Sequence, residues 1–296
     1  LKIESKEMDG HLWTIAYPIQ GSDESVIVAT TRPETLFGDQ AIAIHPNDQR
    51  YRHLHGKSAT IPLTTRTIPI ILDEHVDPEF GSGCVKVTPA HDFNDYAIGQ
   101  RHQLPYLTVL TPDGRMNKEV PDAYQGLTVK EARKQIVDDL SETGQLLATK
   151  PHRHQVPTGD RSGTVIEPRL TYQWFMAMEK LAKPAIDAVK KGEITFTPKN
   201  WENTYFHWLE NIQDWCLSRQ LWWGHQIPAW YDQDGNVYVG QSETHVRDKY
   251  QLSQEITLKQ DEDVLDTWFS SALWPFVTLG WPEKTDRFDT FYPNKH

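Results

Sequence analysis

Cysteine is scarce in this sequence of 296 residues: only Cys84 and Cys216 are present, far apart and without a CxxC pair. Neither a disulfide framework nor a thiolate zinc site is therefore expected. The sequence also lacks a GxxxxGK[ST] phosphate-binding loop, and the histidines of PHRHQ (151–155) have no second ligand pair at zinc-like spacing. We expect reduced thiols, no P-loop nucleotide site and no metal site.

Long apolar runs and a basic charge balance are absent as well. No stretch approaches the roughly 20 apolar residues of a membrane span, and the first residues show no basic segment followed by an apolar one. These features predict a cytoplasmic protein with no membrane partner. The formal net charge of -11 argues against nonspecific coating of duplex nucleic acid. Only 148–219 is net positive, with 10 Lys and Arg against 8 Asp and Glu, so a local RNA contact stays open.

Tryptophan is nearly missing from the first half, where Trp13 stands alone, whereas the other ten lie between Trp174 and Trp281. This change of composition predicts two domains in a mixed α/β chain, 1–149 and 150–296. Short β-rich runs separated by turn residues predict that the first domain is β-rich and barrel-like. The predicted strands are 11–19, 26–33, 41–46, 58–72, 84–89 and 106–111.

One helix in the first domain has clear end signals. Thr128 and Glu131 match a capping box and Gly144 follows the last turn, which predicts a helix over 128–142. Such a helix would pack across the sheet.

Helical patterns dominate from residue 150 onward, most clearly over 171–192 and 200–220. Four tryptophans in this region recur every seven residues, which would place them on one stripe of a helix. They are Trp201, Trp208, Trp215 and Trp222. We favour a packing role for this stripe over a base-stacking platform.

The segment ATTRPETLFGD (29–39) ends a predicted strand with two hydroxyls and a guanidinium. Thr30 and Thr31 offer hydroxyl groups, and Arg32 can bind a phosphate or carboxylate through two parallel hydrogen bonds. The alternative is a strand that ends in an ordinary turn, with Glu34 neutralising Arg32.

A second polar segment, GSGCVKVTPAHDFNDY (81–96), joins a short strand to a helix that begins near Asp92. Strand alternation puts Lys86 and Thr88 on one side, which we predict to face away from the core. Asp92 and Asp95 are three residues apart and share a helix face. These groups could bind an amino acid; alternatively, Asp92 is an N-cap and Asp95 reaches back to it from N3.

Other catalytic interpretations have less support. His91 lies beside Asp92, but no serine or cysteine stands in a nucleophile-elbow context. Cys84 belongs to an apolar strand, where an inert packing role is expected.

The two polar segments together resemble the editing insertion of the valyl type of class I aminoacyl-tRNA synthetases. Further on, NWENTYFHWLENIQDWCLSRQLWWGHQIPAW (200–230) and DVLDTWFSSALWPF (263–276) resemble its catalytic domain. TTRPET is shared with isoleucyl and leucyl relatives, whereas HDFNDY and QLWWGHQIPAW indicate the valyl type. The resemblance implies a barrel-like editing domain followed by a partial, helix-rich Rossmann-type catalytic segment. It also implies hydrolysis of threonyl-tRNA(Val), the misacylated product, at the editing site.

The same resemblance implies roles for seven residues. Asp95 would hold the α-amino group of the substrate. The threonine hydroxyl would be recognised by Lys86, Thr88 and Asp92, and the reacting ester and terminal adenosine at the 3′ end of tRNA(Val) would be lined by Thr30, Thr31 and Arg32. Buried polar partners distinguish a hydroxyl from a methyl group because valine would leave them unpaired. Threonine or its analogues are thus expected ligands.

The sequence departs from complete synthetases of this family. It has no HIGH-type tetrapeptide and no KMSKS-type loop, and it begins and ends inside the expected catalytic domain, so we expect a part of a longer protein. ATP and Mg would serve the intact synthetase only, with no cofactor for editing and no valine activation by this chain alone. The ending NKH (294–296) also differs from the family pattern.

Two other functions stay open. The chain could be a tRNA-binding or domain-contact module without turnover, in which the carboxylates only cap a helix. It could also be an isoleucyl-type editor that clears valine, although Lys86 and Asp92 favour the valyl type because valine has no hydroxyl to recognise.

Overall fold

The computed structural model of the chain describes residues 3–293, and the NKH ending lies outside the described residues. The chain forms two compact units, 1–171 and 172–296. The boundary predicted between 149 and 150 falls inside a strand, Leu146–Gly159, that pairs with the first strand of the chain. Because this pairing joins both ends of the first unit, the unit extends to residue 171.

The first unit is β-rich, and its described residues, 3–171, contain seven strands and two α-helices. Its strands are β1 (Ile3–Pro18), β2 (Ser25–Thr30), β3 (Ala41–Ile44), β4 (Ser58–Thr60), β5 (Thr67–Leu72), β6 (Cys84–Val87) and β7 (Leu146–Gly159). Its helices are α1 (Phe93–Arg101) and α2 (Val129–Glu142), with 3-10 turns at Pro33–Gly38, Arg52–Leu54 and Asp122–Tyr124. Most predicted strands are confirmed, but residues 106–111 contribute only an isolated bridge at Leu110, and β7 lies where helix was expected.

The strands of the first unit form two separate open sheets. One is antiparallel with the order β2-β1-β7, and the other has the order β4-β5-β3-β6, with β3 and β5 parallel. A single bridge between Ile19 and Ala59 links the two ladders. No closed sheet forms among residues 3–293, so the predicted barrel is not observed, because barrel closure needs a continuous ladder between neighbouring strands.

Both faces of the four-stranded sheet are covered. All four residues of β3 are buried: Ile42 and Ile44 join the main core, whereas Ala41 and Ala43 pack with Val87 and with Ile98 of α1. A strand covered on both faces is apolar throughout rather than alternating. The polar side chains of β6 therefore point into the protein and not into solvent.

Helix α2 is confirmed with the predicted end signals. Thr128 accepts the N–H of Glu131, and Glu131 accepts the N–H of Thr128 in return, which completes the capping box. Gly144 follows the helix with φ 70, the left-handed conformation that glycine adopts without strain. The helix buries Ala132, Ile136 and Leu140 at a spacing of four residues, so one face packs on the main core.

The second unit consists of short elements. Its helices are α3 (Met178–Lys190), α4 (Trp201–Glu210), α5 (Glu243–Tyr250), α6 (Thr267–Val277) and α7 (Asp286–Phe291). Its strands are β8 (Phe175–Met176), β9 (Trp215–Cys216), β10 (Ser218–Arg219), β11 (Ala229–Tyr231), β12 (Val237–Val239), β13 (Lys259–Gln260) and β14 (Val264–Leu265). All ladders between these strands are antiparallel. The described part of this unit thus contains no parallel sheet of the Rossmann type.

The two predicted long helices of this unit are shorter than expected. The first starts at Met178 because the preceding residues pair with another segment: Trp174 donates its N–H to Ser218, and β8 pairs with β9. The second ends at Glu210, beyond which β9 and β10 form ladders with distant strands. Non-local hydrogen bonds outweighed the local helical pattern in both places.

The predicted tryptophan stripe is therefore wrong. Trp201 and Trp208 lie on α4, but Trp215 belongs to β9 and Trp222 to an irregular segment. Trp201, Trp208 and Trp222 are also exposed, which does not match a packing role. No described helix is long and apolar enough to cross a membrane.

Candidate active site

The strand β2 delivers the first group of predicted site residues at its carboxyl end. Thr30, its last residue, is buried, and its Oγ1 accepts the N–H of Arg32 at 3.0 Å. Thr31 is half-buried, and its hydroxyl makes no hydrogen bond to the described residues. The chain then enters the 3-10 turn Pro33–Gly38, all of whose residues are buried. The motif is thus part of the core and not a solvated turn.

The guanidinium of Arg32 has three protein partners. Its Nε donates to Glu34 Oε1 at 3.2 Å, its Nη1 donates to the carbonyl oxygen of His91 at 2.9 Å, and its Nη2 donates to Glu167. The contact with Glu34 is the one that the ordinary-turn alternative expected. Contacts with His91 and Glu167 link residues far apart in the sequence, and the motif itself gave no signal for them.

Lys86 and Thr88 are on the same side of β6, as alternation predicted, but that side faces the core. Lys86 has 7% and Thr88 1% of its surface exposed, which corrects the expectation that they face away. The ammonium of Lys86 donates to Thr35 Oγ1 at 2.9 Å, to Asp39 Oδ1 at 2.8 Å and to Thr88 Oγ1 at 2.6 Å. An ammonium has three N–H groups, so all of them are used within the protein.

Asp39 is the partner that makes burial of Lys86 possible, and sequence reasoning missed it. It is fully buried; its Oδ1 also accepts the Thr88 hydroxyl at 2.6 Å, and its Oδ2 accepts the Tyr17 hydroxyl at 2.8 Å. Burial, followed by the nearby Asp39 charge, raises the pKa of Tyr17 well above its ordinary value. Asp39 is the last residue of the ATTRPETLFGD motif. The signal that could have identified it is that a buried lysine needs a carboxylate partner.

Asp92 occupies the N-cap of α1. Its Oδ1 accepts the N–H of Asn94 at 2.8 Å and the N–H of Asp95 at 3.1 Å, and its side chain is exposed. The capping interpretation of Asp92 is therefore confirmed. Capping uses Oδ1 alone, and within the described residues no hydrogen bond engages Oδ2. Asp92 can cap the helix and contact a ligand at the same time.

Asp95 does not complete a capping box, which corrects that part of the alternative. Its Oδ2 accepts the N–H of Thr88 at 2.8 Å, and its Oδ1 has no hydrogen-bond partner among residues 3–293. Burial raises the pKa of Asp95 to about 7, with Asp92 and Asp39 adding to the rise and Lys86 opposing it. A half-buried carboxylate with a free oxygen favours a cationic ligand, because a positive charge would restore its ordinary ionisation.

His91 is buried between these groups in a fixed, neutral form. Its Nε2 accepts the N–H of Val109 at 2.9 Å, so Nδ1 carries the proton and donates to the carbonyl of Pro168 at 3.0 Å. Burial lowers the pKa of His91 to about 4. With both nitrogens engaged, this ring does not serve as a general base. Cys84 is buried in the main core, and burial raises the pKa of its thiol to about 12, which agrees with inert packing.

One hydrogen-bonded network contains six of the seven predicted residues. Thr30 and Arg32 join Thr35 through the carbonyl of Arg32, which accepts the Thr35 hydroxyl at 3.1 Å, and Thr35 accepts from Lys86. Lys86 and Thr88 continue to Asp95, and the backbone of α1 leads to Asp92. Thr31 belongs to it only through the chain. The arrangement presents cationic, hydroxyl and carboxylate groups together at the start of α1.

The family model for class I tRNA synthetases (I, L, M and V) matches residues 2–296. The chain belongs to the class I tRNA synthetases. It is 60% identical over 293 residues to the valine–tRNA ligase of Legionella pneumophila strain Paris and 59% identical over 293 residues to that of Francisella tularensis. The ligase of Coxiella burnetii is 58% identical over 295 residues. The resemblance to the valyl type is thereby confirmed.

These alignments cover 99%, 99% and 100% of this class I synthetase chain but only 32% of each relative. The chain therefore spans about a third of the length of the curated relatives it matches. A solved structure, the ternary complex of Agrobacterium radiobacter K84 agnB2 LeuRS with tRNA and LeuAMS, is 17% identical with a TM-score of 0.39, covering 96% of this chain and 33% of that chain. Both values are too low to show anything further about this chain.

The described clefts of the synthetase chain lie elsewhere. One of about 320 Å³ is lined by Phe196, Trp201, Thr204, Tyr205, Trp208 and Leu209, and a second of about 680 Å³ lies along α3 and the end of α4. Neither includes any of the seven predicted residues. Among the residues that the structure describes, no group of three or more His, Cys, Asp or Glu is placed to hold a metal ion.

Proposed function

We propose that the first unit hydrolyses the ester of threonyl-tRNA(Val) and so removes threonine misattached to the 3′ end of tRNA(Val). The observation that carries this proposal is Asp95, whose Oδ1 is free beside the buried group of Lys86, Thr88 and Asp39. The similarity to valine–tRNA ligases supports the proposal because an enzyme that selects valine needs a way to remove threonine. A hydrophobic valine pocket rejects threonine by only about 10²-fold, a value known for the valyl enzyme itself.

In this proposal Asp95 anchors the α-amino group of the substrate. A cationic amine needs a carboxylate partner, and burial makes that pairing stronger than it would be in water. The amine would lower the pKa of Asp95 from about 7, so binding keeps the carboxylate ionised. Asp95 holds the substrate and does not take a proton from water.

Recognition of the threonine hydroxyl is assigned to Asp92, Lys86 and Thr88. Asp92 has a free oxygen at the exposed end of α1 and would accept the hydroxyl directly. Lys86 has no N–H left, so it acts through Thr88, whose Oγ1 accepts one of its N–H groups. Valine has no hydroxyl to donate to Asp92, so it cannot form this hydrogen bond.

Thr30, Thr31 and Arg32 would line the terminal adenosine and the reacting ester. The free hydroxyl of Thr31 and the remaining N–H groups of Arg32 can face the oxyanion that develops as water attacks. His91 is excluded as a general base because it is neutral with both nitrogens bonded. We therefore propose a positioned water, assisted by a ribose hydroxyl of the substrate. Editing by this route needs no metal or other cofactor.

The deciding experiment is deacylation of threonyl-tRNA(Val) by the chain, measured beside valyl-tRNA(Val). We expect loss of the threonyl ester only, abolished in Asp95→Ala and retained in Asp138→Ala. Asp138 is an exposed residue of α2 without a hydrogen-bond partner in the described structure, which makes it a matched control.

Two results would contradict the proposal in different ways. Hydrolysis of both esters alike would favour an isoleucyl-type editor, and tRNA binding without any hydrolysis would favour the noncatalytic module. Valine activation, with ATP and Mg, belongs in our proposal to the longer synthetase, and we expect no valine-dependent pyrophosphate exchange by residues 1–296.

A further inference from the structure

Four charged side chains of alternating sign form a chain through the candidate site, which we call the charge quartet: Arg133, Glu34, Arg32 and Glu167. Arg133 comes from α2, Glu34 and Arg32 from the motif after β2, and Glu167 from the irregular segment 166–170. The sequence motifs included the two inner members only. The two outer members are separated from them by about a hundred residues or more along the chain.

We propose that Arg133 and Glu167 are positioning residues that fix the guanidinium of Arg32, Arg133 through Glu34 at Nε and Glu167 directly at Nη2. The proposal rests on the proposed function, because it assigns Arg32 a task in hydrolysis that depends on its orientation. Neither outer residue needs to touch the substrate for this role.

Arg133 acts through Glu34. Glu34 is completely buried, and Arg133 binds both of its oxygens, Nε to Oε2 at 2.8 Å and Nη2 to Oε1 at 2.9 Å. Burial alone would raise the pKa of Glu34, but Arg133 and then Arg32 hold it below its ordinary value. Without Arg133, the contact from Arg32 Nε at 3.2 Å would be the remaining cationic partner of a buried carboxylate. Arg32 would then be drawn toward Glu34 to satisfy both oxygens.

Glu167 acts directly and closes a ring of contacts. Glu167 accepts from Nη2 of Arg32. The residue after it, Pro168, accepts through its carbonyl oxygen from the His91 ring at 3.0 Å. The His91 carbonyl oxygen in turn accepts from Nη1 of Arg32 at 2.9 Å. Each member of this ring is thus held by the two others. Because Nε, Nη1 and Nη2 are each bonded, rotation of this guanidinium would break at least one of the three contacts.

The ring also decides what Arg32 can offer to a ligand. An arginine has five N–H groups, and three are used by Glu34, His91 and Glu167. Two remain, one on each Nη nitrogen, and their direction is set by the quartet. Arg32 therefore offers two N–H groups of fixed direction to a ligand, and its contact with Glu34 does not use them. Its side chain keeps 25% of its surface exposed, so these donors are reachable.

The test compares Glu167→Gln and Arg133→Lys with matched surface controls, Glu142→Gln and Arg153→Lys. Glu142 and Arg153 are exposed, and neither contacts the quartet. In deacylation of threonyl-tRNA(Val), we expect kcat to fall by about 10- to 100-fold in both quartet variants with KM changed by less than about 2-fold, because misplacement near 1 Å has effects of this size. The controls should match the unsubstituted chain.

A second readout does not depend on activity. In ¹⁵N NMR spectra of arginine side chains, the Nε–H signal of Arg32, identified by its loss in Arg32→Lys, should exchange slowly with water in the unsubstituted chain. Both quartet variants should shift this signal and speed its exchange, and the two controls should not. Thermal melting checks folding; if Arg133→Lys unfolds, Glu167→Gln decides alone, since Glu167 lies outside every helix and strand.

The outcomes separate this inference from the proposed function. Unchanged kcat or an unchanged Arg32 signal in Glu167→Gln overturns the positioning role while leaving editing intact. If the unsubstituted chain does not hydrolyse threonyl-tRNA(Val), the proposed function fails for this chain. The Arg32 signal then still decides the positioning role, which a loosened signal supports and an unchanged one overturns.

Discussion

At the scale of the residue, the site is built into the core by a buried ion pair. Lys86 and Asp39 are 2.8 Å apart, with 8% and 0% of their side-chain surfaces exposed. Desolvating two charges costs several kcal/mol each, which close contact and extra hydrogen bonds must offset. Thr35, Thr88 and Tyr17 provide those bonds. Removing one member of a buried pair generally costs about 3–5 kcal/mol, so this pair ties the site to the stability of the first unit.

Asp95 should make stability fall with rising pH. Its pKa is about 7 in the folded protein against an ordinary 3.8, so between these values the folded state binds more protons than the unfolded state. The free energy of unfolding therefore decreases as the pH rises through this window. Asp95→Asn removes the effect, and its stability relative to the unsubstituted chain should increase from pH 4 to pH 7 and then level off.

Urea denaturation at several pH values measures this difference, with Asp92→Asn as the control. Asn keeps the N-cap at position 92 and Asp95 is still present, so the stability of that variant should still fall as the pH rises. A loss of stability in Asp95→Asn at neutral pH would mean that Asp95 serves the fold and not a ligand.

At the scale of the element, α1 is held at both ends. Asp92 caps its start, while its last residue, Arg101, and the adjacent His102 bind the buried Asp73 at 2.8 Å each. Because the contacts with Asp73 hold the far end of α1, the helix does not need a hydrogen bond to Oδ1 of Asp95 to stay in place. The helix is a rigid support for the two carboxylates of the candidate site.

Helix α2, which carries Arg133, depends on its buried face. Leu140 is fully buried in the main core, whereas Leu147 at the start of β7 has 53% of its surface exposed. Leu140→Ala should lower the free energy of unfolding by about 2–5 kcal/mol, because it removes apolar contact and leaves a cavity. Leu147→Ala should lower it by less than about 1 kcal/mol. Equal effects in chemical denaturation would mean that α2 does not pack as described.

At the scale of the whole molecule, the two units differ in how far their tryptophan side chains are exposed. Trp13 of the first unit is 9% exposed, whereas Trp222, Trp223 and Trp268 of the second are between 74% and 106% exposed. The main core consists of residues from the first unit alone. That unit has what an independently folding domain needs, its own core with paired strands around it.

Residues 1–171 expressed alone should therefore fold and unfold cooperatively. Trp13 is the only tryptophan in that segment, so its fluorescence should be blue-shifted and little quenched by acrylamide. The whole chain should show red-shifted emission that acrylamide quenches strongly. Strong quenching in 1–171 would show that the first unit does not hold its core without the second.

The sequence by itself determined the local features whose signals lie within a few residues. The capping box of α2, the N-cap Asp92 and the shared side of Lys86 and Thr88 follow from spacing and side-chain chemistry, which neighbouring residues decide. It also determined the family, since HDFNDY and its companion motifs are contiguous. The contact of Arg32 with Glu34 is also local, since the two residues are only two positions apart.

Only the tertiary structure decided which groups from distant segments meet. Lys86 is buried because it lies beside Ile42 on the face of the sheet that the main core covers, and the outer members of the charge quartet arrive from α2 and from segment 166–170. The predicted barrel, the long helices and the tryptophan stripe failed for the same reason. Non-local hydrogen bonds and burial outweigh local preference wherever a segment finds a distant partner, and no spacing along the chain records that partner.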